Sequence, residues 1–252
     1  MNIFILGCNG NLGKSITDYL ANSFNANVYG IDLHSSYSGQ NENVKYLNFD
    51  FLKLGFNNEL KKILNKSNNS NCFINLIAKD YPVTDKESDI NLSKNSPFEL
   101  SLEEITDSFK TTLGSSYILI QEVMKFNKKN NHLILLGSIY SRHLPDPFNY
   151  SIKGDTYKPV AYSLSKAAQN MLFKEACRTI SNNKLRINMI TLGGVYTNQN
   201  FKFVERYSSK VPIKKMVTLN DIENCLDWII FKSPKAINGC ELIVDGGWSL
   251  AN

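Results

Sequence analysis

The sequence lacks a long hydrophobic run, a paired-cysteine motif and a concentrated basic patch, and each absence excludes a class of protein. No stretch approaches the ~18 apolar residues of a membrane-spanning helix. The apolar run Ile3–Leu6 is too short for a signal peptide and lacks a preceding basic region. The five cysteines show no Cys-x-x-Cys spacing, which favours free thiols in a reducing compartment. We therefore expect a cytoplasmic protein with no membrane span and no metal site.

The formal net charge of +5 is spread along the chain in short basic pairs, such as Lys61-Lys62 and Lys214-Lys215. Solvated faces explain this pattern better than a nucleic-acid site does. With 252 residues, 42% of them hydrophobic and 20% charged, the chain has the composition of a soluble globular protein with a sizeable core. This length allows one α/β domain or two small ones.

A glycine motif, Gly7-x-x-Gly10-x-x-Gly13, follows the apolar segment Asn2–Leu6 and precedes a helical pattern that begins at Leu12. Glycines between a first strand and a first helix let the backbone turn tightly. They also let a diphosphate approach the N–H groups at the start of the helix. The motif alone is a weak signal, and its place in the chain strengthens it.

Two acidic positions follow the next predicted strands. Asp32 ends the strand Asn27–Ile31, nineteen residues after Gly13. A carboxylate there can accept both hydroxyls of the adenosine ribose and would repel a 2′-phosphate, whereas the alternative is a surface aspartate at a strand end. Asp50-Phe51 ends the strand Val44–Phe49, where an acid could meet the adenine amino group.

Further strands alternate with helices along the chain. The predicted strands are Cys72–Ala78, His132–Leu136, Arg186–Leu192 and Leu242–Val244, and the predicted helices are Leu102–Phe126, Ala161–Ile180, Phe201–Tyr207 and Leu219–Phe231. This alternation predicts an α/β fold of one domain, residues 1–252, with a doubly wound parallel sheet and helices on both faces.

Polar residues mark the predicted carboxyl ends of the central strands, where ligands of open parallel sheets bind. Asn75, within an apolar strand, needs hydrogen-bond partners and is expected to brace neighbouring strands beside the cofactor. Gly137-Ser138 follows the strand His132–Leu136, and residues 193–197 follow the strand Arg186–Leu192. Two irregular segments, Asp80–Pro97 and 141–160, read as loops.

The segment Tyr162-Ser163-Leu164-Ser165-Lys166 places a tyrosine and a lysine on one helix face, with Cβ atoms ~5–6 Å apart. A phenol titrates near ~10, and a neighbouring ammonium lowers that pKa. A shift of three units needs about 4 kcal/mol, which is much for one lysine. A second positive charge is therefore expected nearby, and an oxidised nicotinamide ring would supply it. The alternative is an ordinary turn of an amphipathic helix.

Together these motifs resemble the short-chain dehydrogenase/reductase family over essentially the whole chain. The motifs in family order are Gly7-x-x-Gly10-x-x-Gly13, Asp32, Asn75, Ser138, Tyr162-x-x-x-Lys166, Arg186-Ile187-Asn188 and Asp245-Gly246-Gly247. The resemblance implies a Rossmann fold, a bound nicotinamide dinucleotide, reversible alcohol–ketone hydride transfer and a homo-oligomer, and Asp32 favours NAD over NADP. It implies Tyr162 as general acid/base, Ser138 as hydrogen-bond donor to the substrate oxygen, and Lys166 as ligand of the nicotinamide ribose.

The resemblance also implies a set of cofactor contacts along the sheet edge. They are Gly7, Asn9, Gly10, Asn11, Leu12, Gly13, Asp32, Asp50, Phe51, Asn75, Ala78, Tyr162, Lys166, Gly193, Val195 and Thr197.

Three features depart from the family pattern. Thr112 falls where the family has a helix asparagine of the proton relay, and Leu192 replaces the proline of a Pro-Gly turn. The glycine spacing is that of the extended branch of the family, while the length and ending are those of the single-domain branch. A narrower resemblance, through residues 193–199 and the insertion before Tyr162, is to dehydrogenases found with flagellin and surface-sugar (legionaminic-acid-type) biosynthesis.

The sequence is compatible with three functions. The first is an NAD-dependent oxidoreductase acting on a polar, sugar-like substrate. The second is a 3-oxoacyl-thioester reductase, and the third is a non-catalytic dinucleotide-sensing protein. Under the first, the loops at about 141–160 and 193–215 form the substrate pocket. The predicted donors are Arg142, His143, Asn149, Tyr150, Lys153, Asn198 and Gln199, and the predicted apolar faces are Phe148, Tyr157 and Phe201.

Overall fold

A computed structural model describes residues 1–23, 26–80, 96–126, 130–150, 157–180 and 184–251. Within these residues one parallel sheet has seven strands in the order β3-β2-β1-β4-β5-β6-β7. The strands are β1 (Asn2–Leu6), β2 (Asn27–Asp32), β3 (Lys45–Asn48), β4 (Asn71–Asn75), β5 (Asn131–Ser138), β6 (Leu185–Leu192) and β7 (Glu241–Val244).

Helices connect the strands. They are α1 (Gly13–Ser23), α2 (Phe51–Leu54), α3 (Asn58–Lys66), α4 (Leu102–Phe109), α5 (Ser115–Lys125), α6 (Pro147–Tyr150), α7 (Val160–Thr179), α8 (Phe201–Lys210), α9 (Leu219–Asp227) and α10 (Trp248–Ala251). Two π-helical turns, Lys110–Gly114 and Trp228–Lys232, and one 3₁₀ turn, Ile139–Ser141, complete the described elements.

The central strand β1 shows how the sheet buries both of its faces. Ile3 and Ile5 pack in one apolar cluster with residues of α1 and α9, whereas Phe4 and Leu6 pack in another with residues of α5 and α7. Successive side chains of a strand point to opposite faces, so a continuous apolar run suits a strand with helices on both sides. This arrangement confirms the predicted doubly wound Rossmann fold.

The chain order of the strands reverses at the centre of the sheet. Strand β1 pairs with β2 on one side and with β4 on the other, so the connections leave β1 in opposite directions. A crevice opens outside the carboxyl ends of the strands at such a switch point, and ligands of this fold class bind there. The fold thereby places the glycine turn after β1 next to the ends of β4 and β5.

The predicted long helix Leu102–Phe126 is interrupted. A π-helical turn, Lys110–Gly114, separates α4 from α5. The carbonyl oxygen of Thr112 in this turn accepts hydrogen bonds from the hydroxyls of Ser115 at 3.2 Å and Ser116 at 3.3 Å. Serine hydroxyls that bond a carbonyl of the preceding turn distort a helix. The apolar periodicity of residues 102–126 predicts one continuous helix and does not predict the π-helical turn.

Two predicted loops are only partly described. The segment 141–160 contains the short helix α6, and its residues 151–156, with Lys153, lie outside the described residues. Residues 81–95 of the predicted loop Asp80–Pro97 also lie outside them. The predicted strand Cys72–Ala78 ends at Asn75, whose side chain accepts a hydrogen bond from Ile77 N at 3.1 Å as the chain turns.

An aromatic cluster lies beyond the carboxyl ends of β5 and β6. It joins the 3₁₀ turn, α6, α8 and α10, and its members include Tyr140, Tyr150, Phe203, Tyr207 and Trp248. The rings of Tyr207 and Trp248 are stacked with centroids 6.3 Å apart. This cluster builds one end of the crevice from elements that are distant in the sequence. Among the helices described, none has the length and apolarity to cross a bilayer.

A buried histidine makes the fold sensitive to acid. His132 in β5 contacts the Arg186 guanidinium at 3.2 Å and the Asn188 amide at 2.9 Å. Burial, reinforced by the Arg186 charge, lowers the pKa of His132 from its ordinary 6.5 to about 3. As pH falls, His132 is therefore protonated in the unfolded chain at a higher pH than in the folded protein. Stability is fully present above the unfolded pKa and is lost as pH falls through this window, by about 1.4 kcal/mol per pH unit.

We expect His132→Gln to flatten this loss, because glutamine accepts hydrogen bonds and carries no titrating group. The measurement is the free energy of urea unfolding at about pH 7 and about pH 5, compared between variant and wild type. His34→Gln is the matched control, since the His34 side chain is 66% exposed. An equal loss between the two pH values in His132→Gln and wild type would contradict the prediction.

Candidate active site

The glycine turn after β1 is too tight for a side chain. Gly7 has a φ of 81°, and a Cβ added to Gly13 would lie 2.1 Å from the Gly7 carbonyl oxygen. The Gly10 N–H donates to that same oxygen at 3.1 Å. The start of α1 therefore packs directly on the glycine turn. A cleft of about 440 Å³ lies at the carboxyl edge of the sheet, and its lining includes Gly10, Asn11, Leu12 and Gly13.

Asp32 at the end of β2 binds the glycine turn. Its carboxylate accepts hydrogen bonds from Asn9 N at 2.9 Å and Leu33 N at 2.8 Å, and it contacts His34 Nδ1 at 2.7 Å. The Asn9 side chain is engaged as well, since its carbonyl oxygen accepts from Ser38 N at 2.9 Å. Two of the three Asp32 contacts are backbone bonds, and the third belongs to an exposed side chain that can move.

The three predicted catalytic residues lie in one cleft. Ser138 ends β5, while Tyr162 and Lys166 lie one turn apart on α7, and all three line the cleft with the glycine turn. Burial raises the pKa of Tyr162 well above its ordinary value and Asp80 adds to the rise, whereas a hydrogen bond with Ser138 opposes it. Burial lowers the pKa of Lys166 to about 8.

Residues 88–249 match the family described as Enoyl-(Acyl carrier protein) reductase. The chain belongs to the short-chain dehydrogenase/reductase family. As a member of this family it is an oxidoreductase acting on CH–OH groups.

Known relatives match the chain to different extents. Post-translational flagellin modification protein A of Campylobacter coli is 28% identical over 98% of each chain. Glucose 1-dehydrogenase 2 of Bacillus subtilis is 22% identical over 61% of this chain and 58% of its own. A short-chain dehydrogenase of Leptospira borgpetersenii, solved with bound NAD+, superposes with a TM-score of 0.75 at 20% identity, covering 98% of this chain and 92% of its own.

Lys166 is held by a hydrogen-bond network that reaches the neighbouring helix α5. Its ammonium donates to the Leu136 carbonyl at 2.8 Å and to Gln169 Oε1 at 3.1 Å. The Gln169 amide donates to Ser116 Oγ at 2.8 Å. Sequence reasoning missed Gln169, although positions 162, 166 and 169 share one helix face. An ammonium has three N–H donors, and among the described residues two of those of Lys166 have an acceptor. The third is therefore available for a ligand hydroxyl.

Six of the predicted cofactor residues do not line the cleft: Gly7, Asn9, Asp32, Asp50, Phe51 and Asn75. Asp50 caps α2 by accepting from Leu52 N at 3.0 Å, and the Phe51 side chain lies in the apolar core. The side chain of Asn75 donates to Ser115 Oγ at 3.1 Å and to Ser116 Oγ at 3.0 Å. Asn75 thus joins its strand to α5, and the prediction that it braces neighbouring strands is wrong.

Thr112 is buried in the π-helical turn between α4 and α5. Its hydroxyl accepts from Lys79 N at 3.2 Å, and its carbonyl oxygen accepts from the two serines of α5. In place of the family's asparagine side chain, this chain therefore has a threonine bonded to the backbone after β4. The network reaches the cleft through Gln169, which joins Ser116 to the cleft residue Lys166.

The predicted cofactor residues beyond β6 remain at the cleft, where Gly193, Val195 and Thr197 line it together with Ala78. The Gln199 side chain fixes this segment, because its Oε1 accepts from Thr197 N at 2.7 Å and its amide donates to the Val195 carbonyl at 2.6 Å. A side chain that closes its own loop in this way shapes the wall of the cleft.

The substrate end of the cleft differs from the predicted one. Of the residues proposed to face a ligand, Tyr150 and Gln199 line the cleft. Arg142 instead forms an ion pair with Glu241, and His143 packs edge-on against Trp248 with centroids 5.5 Å apart. Phe201 is 75% exposed. The prediction of a donor-rich wall from segment 141–160 is wrong for Arg142 and His143, because Glu241 and Trp248 already engage these two side chains.

Two further charged residues line the same end of the cleft. The sequence analysis did not propose either of them as a site residue. Lys158 precedes α7, and Asp80 follows β4, and the two side chains form an ion pair. The Lys158 ammonium lies 4.2 Å from the centroid of the Tyr162 ring. The Tyr-x-x-x-Lys motif contains no signal for this lysine, which lies four residues before the tyrosine and outside the helix.

Proposed function

We propose that this single-domain protein is an NAD-dependent oxidoreductase that interconverts an alcohol and a ketone on a polar, sugar-like small molecule. The observation that carries the proposal is the cleft itself, in which Ser138, Tyr162 and Lys166 face the glycine turn at the start of α1. A proton-transfer group and a dinucleotide-binding turn in one cleft are the two requirements of this reaction.

The residues present fit a dinucleotide. The glycine turn has no room for a Cβ at Gly13, so a diphosphate can approach the backbone N–H groups and the positive end of α1. Asp32 is placed to accept the ribose hydroxyls once His34 moves, and its charge disfavours a 2′-phosphate. NAD, when bound, supplies the hydride acceptor.

Three side chains of this chain handle the proton and the oxygen. In alcohol oxidation Tyr162 accepts the hydroxyl proton, and Ser138 donates a hydrogen bond to the same oxygen. Lys166 donates to the nicotinamide ribose and favours the phenolate through its charge. Gln169 holds the Lys166 ammonium in place through its bond at 3.1 Å. In ketone reduction the same groups act in reverse, with Tyr162 donating the proton.

The lining of the substrate end supports a small, hydroxylated ring as substrate. Charged and hydroxyl groups (Asp80, Lys158, Tyr162) alternate with the aromatic side chains Tyr150 and Phe203. Pockets for small polar molecules combine apolar faces with a few placed polar groups in this way. Similarity to Glucose 1-dehydrogenase 2, whose name states a sugar substrate, supports the same substrate class.

A 3-oxoacyl-thioester reductase is the second candidate. The description of the matched family, Enoyl-(Acyl carrier protein) reductase, names the same thioester carrier and in that respect favours it, as do Met216 and Phe203, which give the cleft an apolar side. Asp32 disfavours the NADPH that such reductions often use.

The two functions are distinguished by one screen. Purified protein is assayed for NAD-linked turnover with sugar phosphates and nucleotide sugars, and in parallel with 3-oxoacyl thioesters and either reduced cofactor. We expect the highest kcat/KM with a sugar-derived compound and NAD(H). A thioester that outperforms every sugar would overturn the sugar assignment and leave the alcohol–ketone chemistry in place.

A further inference from the structure

Lys158 is a buried cation against the face of the Tyr162 ring. Its side chain is 7% exposed, and its ammonium lies 4.2 Å from the ring centroid. A cation over an aromatic face is attracted by the ring quadrupole, and the attraction increases when the site is desolvated. The segment before α7, in which Lys158 lies, therefore delivers a second lysine to the tyrosine in addition to Lys166 on the helix.

The counter-ion of Lys158 lies on the solvent side. The Asp80 side chain is 51% exposed, whereas the lysine that it pairs with is buried beside the ring. Burying an ammonium is costly unless a carboxylate or hydrogen bonds compensate it. The pair is thus oriented with its positive end on Tyr162 and its negative end exposed to solvent.

The geometry points to an electrostatic role for this pair: we propose that Lys158 stabilises the phenolate of Tyr162 and that Asp80 moderates this effect. Lys158 is then a positioning residue of the acid/base group, and the inference rests on the proposed function of Tyr162. A positive charge on the ring attracts the phenolate by charge as well as by quadrupole, so it favours loss of the proton.

Other polar groups also surround Tyr162. The hydroxyl of Ser138 comes from β5, those of Tyr140 and Tyr150 come from the 3₁₀ turn and α6, and Lys166 comes from α7. The Tyr140 ring lies edge-on to Tyr162, with centroids 6.4 Å apart.

The charges around Tyr162 act in opposite directions on its protonation. Burial and Asp80 raise its pKa, and the tyrosine neighbours add no positive charge. Burial lowers the pKa of Lys166 from its ordinary value to about 8, which weakens its hold on the proton. Lys158 and Asp80 also act on Lys166, lowering and raising its pKa respectively.

Opposite effects are expected from the two members of the pair. Lys158→Met removes the charge and keeps an unbranched apolar side chain, so the pH midpoint of Tyr162 ionisation should rise by about one unit or more, within the range that a charge at this distance produces. Lys158→Arg keeps the charge and should leave the midpoint near the wild-type value. Asp80→Asn removes the opposing charge and should lower the midpoint.

The experiment measures Tyr162 directly and needs no substrate. The protein is labelled with fluorotyrosine, whose phenol has a lower pKa than that of tyrosine, and its fluorine NMR spectrum is followed against pH with and without NAD. The resonance of Tyr162 is assigned by its loss in Tyr162→Phe. Lys210→Met is the matched control, because Lys210 forms an ion pair with Asp146 near an aromatic ring and lies outside the cleft lining.

The expected result is a raised midpoint in Lys158→Met, a lowered one in Asp80→Asn, and no change in Lys158→Arg or Lys210→Met. An unchanged or lowered midpoint in Lys158→Met, or shifts of the same sign in both charge-removing variants, would overturn the proposal. If Lys158→Met does not fold, the sign of the Asp80→Asn shift decides. A Tyr162→Phe protein that keeps full turnover would instead overturn the proposed function, so the two failures are distinguishable.

Discussion

Replacing Tyr162 with phenylalanine is expected to lower kcat by ~10²–10⁴-fold, the contribution that a positioned acid/base group makes. The affinity for NAD should stay within a few-fold of wild type, because the hydroxyl is proposed to contact the substrate oxygen and the ring remains. The phenol is the group on α7 that hydrogen-bonds Ser138 within the cleft. The measurement is kcat with the best compound of the substrate screen, together with a Kd for NAD from fluorescence titration.

Tyr140→Phe is the matched control for this result. Tyr140 is buried in the same cleft, and its hydroxyl hydrogen-bonds Tyr150 Oη at 3.1 Å, so the change removes the same atom from a neighbouring ring. We expect at most a modest change in kcat. Wild-type rates in Tyr162→Phe, or an equal loss in the two variants, would refute the assignment of the proton to Tyr162.

A preference for NAD(H) over NADP(H) of a hundredfold or more is the second large effect expected. Asp32 is proposed to accept two ribose hydroxyls, and hydrogen bonds to charged groups contribute about 1.5–3 kcal/mol each. At ~1.4 kcal/mol per decade, the loss of these bonds together with repulsion of a 2′-phosphate gives at least two decades. The His34 side chain on the Asp32 carboxylate is 66% exposed, so a ribose can displace it.

Asp32→Asn should reduce the preference strongly, because an amide repels no phosphate and still accepts the 2.9 Å bond from Asn9 N that holds the glycine turn. Asp50→Asn is the matched control, since the Asp50 carboxylate is engaged in capping α2 through its bond from Leu52 N. Both cofactors are titrated side by side against each variant. Equal affinities for NAD and NADP in wild type would mean that Asp32 does not face the ribose.

The catalytic group and the phosphate turn are predictable because each lies within a short stretch of chain. Tyr162 and Lys166 are neighbours on a helix by virtue of its period alone, and the Gly7–Gly13 turn is defined by glycines between a strand and a helix. Ser138 follows from the end of a buried strand, because parallel strands present their carboxyl ends at one edge.

The surroundings of the site depend on contacts between distant residues, and these required the tertiary structure. Lys158 meets Asp80 from another strand end, and Gln169 meets Ser116 across two helices, because the sheet order brings β4 beside β5. Hydropathy and residue spacing along the sequence do not predict which of these distant residues will be in contact.

The sequence by itself determined the alternation of elements, the strand-end position of Asp32 and Ser138, and the shared helix face of Tyr162 and Lys166. Tertiary structure alone decided that Asp50 caps a helix, that Arg142 pairs with Glu241, and that Lys158 lies on the catalytic ring. The physical reason is that local periodicity sets which way a side chain points. Which partner binds it depends on elements that packing brings together from far along the chain.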